Sequence, residues 1–112
     1  MHELSLCRSI VGVVERHADT ARVRRVNLQV GQLRQVVPAT LTYCWSLVNA
    51  DTPLGGSELC IESVPARIRC TGCAGTTELD APVLVCAHCG GTAVQVVAGE
   101  EFLITSLELT EA

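Results

Sequence analysis

Four cysteines in two CxxC pairs carry the clearest chemistry in this chain: Cys70-x-x-Cys73, twelve intervening residues, then Cys86-x-x-Cys89. Each pair can turn tightly enough to aim two sulfurs at one point. Two such turns facing each other offer four thiolates in a tetrahedron, the arrangement that suits Zn²⁺. Gly72 and Gly90-Gly91 supply backbone freedom for the turns. An iron–sulfur site and a redox-active dithiol pair are the alternatives that four cysteines leave open. Zinc held by four protein sulfurs has no open position, so it is structural and not catalytic. By analogy with zinc-finger peptides, it contributes on the order of 10 kcal/mol to folding the segment around it. His88 lies between Cys86 and Cys89 and reads as a surface residue of the turn rather than a ligand. An imidazole there is still chemically able to replace a thiolate or to sense pH.

A second constellation sits at the start: Met1-His2-Glu3. On position alone, a histidine at residue 2 signifies only a chain end. The donor set is more distinctive. The terminal amine, the amide nitrogen of His2 and its imidazole close one five-membered and one six-membered ring around a single metal. Nitrogen donors in a near-planar array suit Ni²⁺ or Cu²⁺. Glu3 can add an oxygen, a backbone nitrogen or a hydrogen bond behind the ligands. A helix starting near Leu4 gives the chelate a firm base. The helix dipole opposes a cation there, so the negative charge of Glu3 and of a deprotonated amide helps. The arrangement requires a free N-terminus, and a bulky residue at position 2 favours retention of Met1.

The elements that must position these groups are legible from periodicity. Residues 4–18 predict an amphipathic helix, with Leu4, Cys7, Ile10, Val11, Val14 and Ala18 at three- and four-residue spacing and an end near Asp19-Thr20. Val26, Leu28 and Val30 alternate with polar residues and predict a strand over 22–30, with a bulge or frayed start at Arg24-Arg25. Pro38 suits the first turn of a second helix bearing Leu41, Cys44, Trp45 and Val48. The turn residues of 51–56 make a loop. Strands follow over 57–64 and 102–109, and these two are expected to pair. Between them, 66–98 is cysteine- and glycine-rich, with strand-like pieces only at Val83–Val85 and Val94–Val97. The expected fold is α+β: two helices on a small mixed β-sheet, formed by 1–65 plus 99–112, with an inserted zinc-ribbon-like domain at 66–98.

Composition narrows the function. The 112-residue chain carries net charge −4, from 12 acids against 8 bases, and every base is arginine. Nucleic-acid binders show the opposite balance, because phosphate neutralisation supplies most of their affinity. Arg22, Arg24 and Arg25 read as a solvated strand edge. No apolar run approaches the ~20 residues of a membrane span, and His2-Glu3 replaces the start of a signal peptide. The expected location is cytoplasmic. Seven cysteines, an odd number, argue for metal and free thiols over disulfides. Cys7, Cys44 and Cys60 read as buried small hydrophobes. Three histidines and no Gly-rich phosphate loop leave no catalytic set, so no enzyme is expected.

Together these motifs resemble the HypA/HybF family of hydrogenase maturation nickel chaperones. The resemblance runs from Met1-His2-Glu3-Leu4 through Arg16-His17-Ala18 and the stretch Val23–Gly31. It continues through Leu59-x-Ile61-Glu62-x-Val64-Pro65, the CxxC block, and Gly99–Ile104 leading to Leu107-Glu108-Leu109. It implies nickel as cargo on His2 with Met1 and Glu3, and zinc on Cys70, Cys73, Cys86 and Cys89. It also implies a nickel-handling GTPase partner, HypB, and the large subunit of a [NiFe] hydrogenase as recipient; some members serve urease. Either a monomer or a homodimer is compatible with it. Glu100 departs from the basic residue expected there in many members. The competing reading, a zinc-ribbon nucleic-acid or transcription module, requires a basic surface with stacking aromatics, and only 3% of residues are aromatic. A thiol redox protein would require the CxxC cysteines to be free thiols without metal.

Overall fold

The computed structural model describes residues 2–18 and 21–110, with His2 described by its backbone only. In chain order the elements are α1 (His2–Ala18), β1 (Val23–Gly31), a 3-10 turn (Gln32–Arg34), α2 (Pro38–Val48), β2 (Glu58–Val64), β3 (Arg67–Cys70), β4 (Thr76–Glu78), β5 (Val94–Ala98) and β6 (Phe102–Leu109). They form two compact units. One comprises Met1–Gln29, Val36–Glu62 and Leu103–Ala112; the other comprises Val30–Gln35 and Ser63–Phe102.

In the first unit α1 buries Cys7, Ile10, Val14 and Ala18, a stripe at three- and four-residue spacing. Pro38 opens α2 at a position where no backbone N–H is lost. Val37, the residue before it, has no cap from its own side chain. Its N–H donates instead to Glu3 Oε2 at 3.3 Å, and Cys7 Sγ donates to the Leu41 carbonyl at 3.4 Å. Both contacts span 34 residues, so the two helices run side by side in the same direction. Trp45 is buried, and its indole N–H donates to Ser57 Oγ at 3.0 Å.

The strand order is β2-β1-β6. The expected pairing of the 57–64 and 102–109 strands therefore does not form, and β1 lies between them. Burial and charge both agree with the order: β1 carries the buried Val23, Val26, Leu28 and Val30. Glu58 and Glu62 lie on β2 and Glu108 on β6, and like charges facing across a strand pair are destabilising. β1 supplies their partners: Arg25 pairs with Glu58 and Glu108, Arg24 with Glu108, and Gln29 Nε2 donates to Glu62. The arginine cluster is thus on a central strand, not an edge. The break in alternation is no fray either, since Val23 beyond it is buried. The constant 33-residue offset of Arg25–Glu58 and Gln29–Glu62 makes β1 and β2 parallel. Asn27 reaches Ser106, while the Thr110 N–H bonds the Arg22 carbonyl, so β6 is antiparallel to β1 and the sheet is mixed.

The hydrogen bond from Asn27, opposed by partial burial and reinforced by Arg25 and Arg24, holds the Glu108 carboxyl below its ordinary pKa. A depressed carboxylate stabilises the fold above its unfolded pKa and loses that contribution as pH falls through the folded one. Native protein should therefore lose stability below about pH 4.3. Glu108→Gln should be less stable at neutral pH and show a flatter acid limb in urea midpoints measured across pH.

The second unit has the order β4-β3-β5, all antiparallel. Ala66, Ile68 and Leu79 are its buried core, with Leu33, Val94 and Val96 packed against them. Val83–Val85, expected as a strand, is exposed and turns on short bonds, Val83 N–H to Ala81 O and Val85 N–H to Val83 O. β3 and β4 take its place, although each is too short and polar to register by pattern. At the edge of this unit the backbone of Gly31 lies against that of Gly99, and a β-carbon on Gly31 would overlap the Gly99 carbonyl. Gly31→Ala should cost about 1–3 kcal/mol of unfolding free energy through overpacking, read by chemical denaturation.

Candidate metal centre

The two CxxC segments fold into the same turn. Cys70 N–H bonds the Gly75 carbonyl at 2.8 Å and Ala74 N–H bonds the Cys70 carbonyl at 3.0 Å; sixteen residues on, Cys86 N–H bonds Gly91 O and Gly90 N–H bonds Cys86 O, both at 2.9 Å. Each turn reverses through a left-handed residue, Ala74 (φ 61°) and Gly90 (φ 73°). Glycine adopts that conformation freely, so Gly90 was a legible signal and Ala74 was not. Side chains lock the turns from outside. Thr71 Oγ1 donates to Ala93 O at 2.8 Å, and Thr77 Oγ1 accepts from Ala87 N–H at 3.1 Å.

The turns bring all four sulfurs together, each within 4.8 Å of the others. Cys70–Cys89 and Cys73–Cys86 are separated by 3.6 Å. A disulfide would need about 2.05 Å. Four sulfurs about 2.3 Å from a tetrahedral ion lie about 3.8 Å apart, so the donor set fits Zn²⁺. Cys70 and Cys86 are buried while Cys73 and Cys89 are exposed.

Backbone N–H groups prepare the thiolates. Donors from Cys73 and Gly72 lower the pKa of Cys70, and donors from Cys89 and His88 lower that of Cys86 to about 6. Cys73 and Cys89 accept single N–H bonds from Gly75 and Gly91, but neighbouring thiols raise Cys73 to about 11 and also raise Cys89. His88 stays outside the cluster: Nε2 lies 3.1 Å from the Thr76 carbonyl, to which it donates, and the ring covers Gly75.

Of the N-terminal triplet, Met1 and the imidazole of His2 lie outside the described residues. The backbone of His2 opens α1, and Glu3 bonds Val37. Among the remaining cysteines, Cys7 is buried, Cys44 is half-buried and Cys60 is exposed on β2, so only Cys7 fully meets the expectation of burial. Burial first, then the proximity of Cys44 and Glu3, pushes the Cys7 thiol up to about 11.

A family profile described as "Hydrogenase/urease nickel incorporation, metallochaperone, hypA" matches residues 1–109. The chain is 37% identical to Hydrogenase maturation factor HypA of Desulfosudis oleivorans, over 99% of this chain and 100% of the relative. It is 41% identical to the factor of the same name from Streptomyces avermitilis, over 96% and 86%. A solved structure described as the solution structure of HypA protein aligns with TM-score 0.70 at 23% identity, over 98% of this chain and 97% of that one. The solution structure of the Ni metallochaperone HypA from Helicobacter pylori aligns with TM-score 0.67 at 21% identity, over 96% of each. The chain belongs to the HypA family of hydrogenase/urease nickel-incorporation metallochaperones, which are maturation factors and not enzymes.

Proposed function

We propose that this chain binds Ni²⁺ at its N-terminus and delivers it for [NiFe] hydrogenase maturation, while a structural Zn²⁺ is held by Cys70, Cys73, Cys86 and Cys89. The observation that carries the reading is a family match beginning at residue 1, on a chain whose first helix begins at residue 2. The first four N–H groups of a helix have no intrahelical acceptor. The amide of His2, at the head of the helix, can deprotonate onto a metal beside the Met1 amine and the His2 imidazole. The Glu3 carboxylate, engaged by Val37, anchors that end of α1 to α2. Glu3 thus contributes through its backbone and position more than through its carboxylate.

The proposed division of labour gives nickel to residues 1–65 plus 99–112 and zinc to 66–98. Zinc, when bound, supplies the positive charge that keeps four adjacent thiolates deprotonated. The proposed partners are the GTPase HypB and the large subunit of a [NiFe] hydrogenase, with urease maturation proteins where the family serves urease, all in the cytoplasm. Nucleic acid is not among them, since Arg24 and Arg25 are neutralised by Glu58 and Glu108. Among the described residues no helix is long and apolar enough to cross a membrane.

Acetylating the Met1 amine tests the site by calorimetry. The blocked amine is lost from the chelate, so nickel affinity should fall at least tenfold while zinc content holds. In the unmodified chain the affinity should weaken as pH drops through about 6.5, where free imidazole protonates. A flat pH response with an indifferent acetylated chain would sink the N-terminal assignment.

A further inference from the structure

The packing of α1 on α2 places two free cysteines in one seam. Cys7 is 0% exposed, and its Sγ reaches the backbone of the other helix, 3.4 Å from the Leu41 carbonyl. A side chain that short touches a neighbouring backbone only where two helices are in close contact. Cys44 lies three residues beyond Leu41 on α2 and is half-buried. In an α-helix the γ-atom of a residue can reach the carbonyl three or four positions back. Two side chains of α2 do so: Ser46 Oγ donates to the Tyr43 carbonyl at 2.7 Å, and Thr42 Oγ1 to the Pro38 carbonyl at 3.0 Å. The Leu41 carbonyl that Cys7 contacts is therefore within reach of Cys44 as well. The proximity also shows in charge, since Cys44 helps to hold the Cys7 thiol up. The remaining cysteines are placed differently. Cys60 is exposed on β2, on the face opposite buried Leu59, and the other four form the cluster of the second unit.

We infer that Cys7 and Cys44 are a redox-active pair, which a small-molecule disulfide such as oxidised glutathione converts into an intramolecular disulfide between α1 and α2. The two thiols have different roles. Cys44 has access to solvent and attacks first. Its thiolate displaces one reduced glutathione and leaves a mixed disulfide on Cys44. Cys7 is shielded from a bulky reagent, and burial holds its thiol protonated, so it reacts only with a sulfur delivered beside it. Its thiolate then attacks the Cys44 sulfur, the new S–S bond forms, and the second glutathione leaves. The two displaced thiolates take up the two protons that the cysteines lose. Two electrons pass from the cysteine pair to the glutathione disulfide. In a reducing compartment the pair rests as thiols, and the bond follows the pool of small disulfides, as labile disulfides do. The bond closes the chain from residue 7 to residue 44. It replaces a weak S–H···O contact with a covalent staple, one turn along α1 from the Glu3–Val37 bond. The two helices are then fixed lengthwise against each other.

Treating the zinc-loaded native chain with oxidised glutathione, blocking the free thiols and mapping the peptides by mass spectrometry tests the pair. A Cys7–Cys44 linkage is expected, with two reduced glutathiones released per bond and full reversal by dithiothreitol. Cys60→Ser should leave that linkage intact. The single variants separate the two roles. Cys7→Ser keeps a donor for the Leu41 carbonyl and should trap glutathione on Cys44. Cys44→Ser removes the entry point, and Cys7 should then be modified about tenfold or more slowly than the exposed Cys60. A native chain in which Cys44 keeps its glutathione, a linkage from Cys7 to Cys60, or a Cys7 that takes up glutathione as fast as Cys60 in Cys44→Ser each overturns the assignment.

Discussion

Replacing His2 with alanine should lower nickel affinity by about two orders of magnitude, roughly 2.7 kcal/mol, and leave zinc content and thermal unfolding unchanged. The size follows from what is removed. Imidazole is a strong neutral donor for Ni²⁺, and in the proposed site its six-membered chelate ring would hold the deprotonated amide in the metal plane. Without it the amine and amide must compete with water as a weaker pair. The stability should not move, because the residues that pack α1 are Cys7, Ile10, Val14 and Ala18. The two other histidines make the comparison sharp. His17 Nδ1 lies 2.9 Å from the Val13 carbonyl and His88 Nε2 3.1 Å from the Thr76 carbonyl, so both rings are already engaged. His17→Ala and His88→Ala should retain native nickel affinity. Competition against a coloured chelator measures all three, and a loss shared equally among them would remove the case for residue 2.

Cys70→Ala should release zinc and unfold the second unit. Three sulfurs leave one tetrahedral position to water, and the stabilisation withdrawn is on the order of 10 kcal/mol. The apolar core of that unit, Ala66, Ile68 and Leu79 with three partly buried neighbours, cannot replace it. Amide exchange should become fast across β3, β4 and β5. Helical circular dichroism should largely persist, because the contacts of α1 with α2, Cys7 to Leu41 and Glu3 to Val37, lie within the first unit. Zinc by mass spectrometry should drop from one per chain to a small fraction. Retention of both zinc and exchange protection would mean that the four sulfurs are not the ligands.

The features with a strong period or a strict chemical requirement were legible in advance. Both helices, the alternating strand through Val26, Leu28 and Val30, and the four converging cysteines fall in this group. Strand order was not, because it is decided by side-chain pairs distant in sequence: nothing local says that Arg25 must reach both Glu58 and Glu108. Val83-Leu84-Val85 had the composition of a strand and is not one. The central strand of that sheet, Arg67–Cys70, is flanked on both sides by Thr76–Glu78 and Val94–Ala98, and Val83–Val85 lies outside the ladder. The membership of Val30–Gln35 in the second unit rests on Leu33, whose N–H bonds Gly99 O and whose side chain packs on that core. The left-handed turn at Ala74 had no glycine to announce it. The Glu3–Val37 bond was equally invisible, since it joins the start of one helix to the residue before another.

The antiparallel pairing of β3 with β5 sets Arg67 opposite Ala98. Residues 65–101, the whole connection from β2 to β6, thereby become a loop closed at its base by paired strands. An open connection of that length costs about 3 kcal/mol in chain entropy from length alone before β6 can find β1. Contacts separated by about 80 residues, as between Arg24 and Glu108, are the kind that slow folding most. A newly made chain that closed this loop around the proposed zinc would meet β6 as though the intervening segment were a short turn. Zinc supply would then act on the folding rate of the sheet itself.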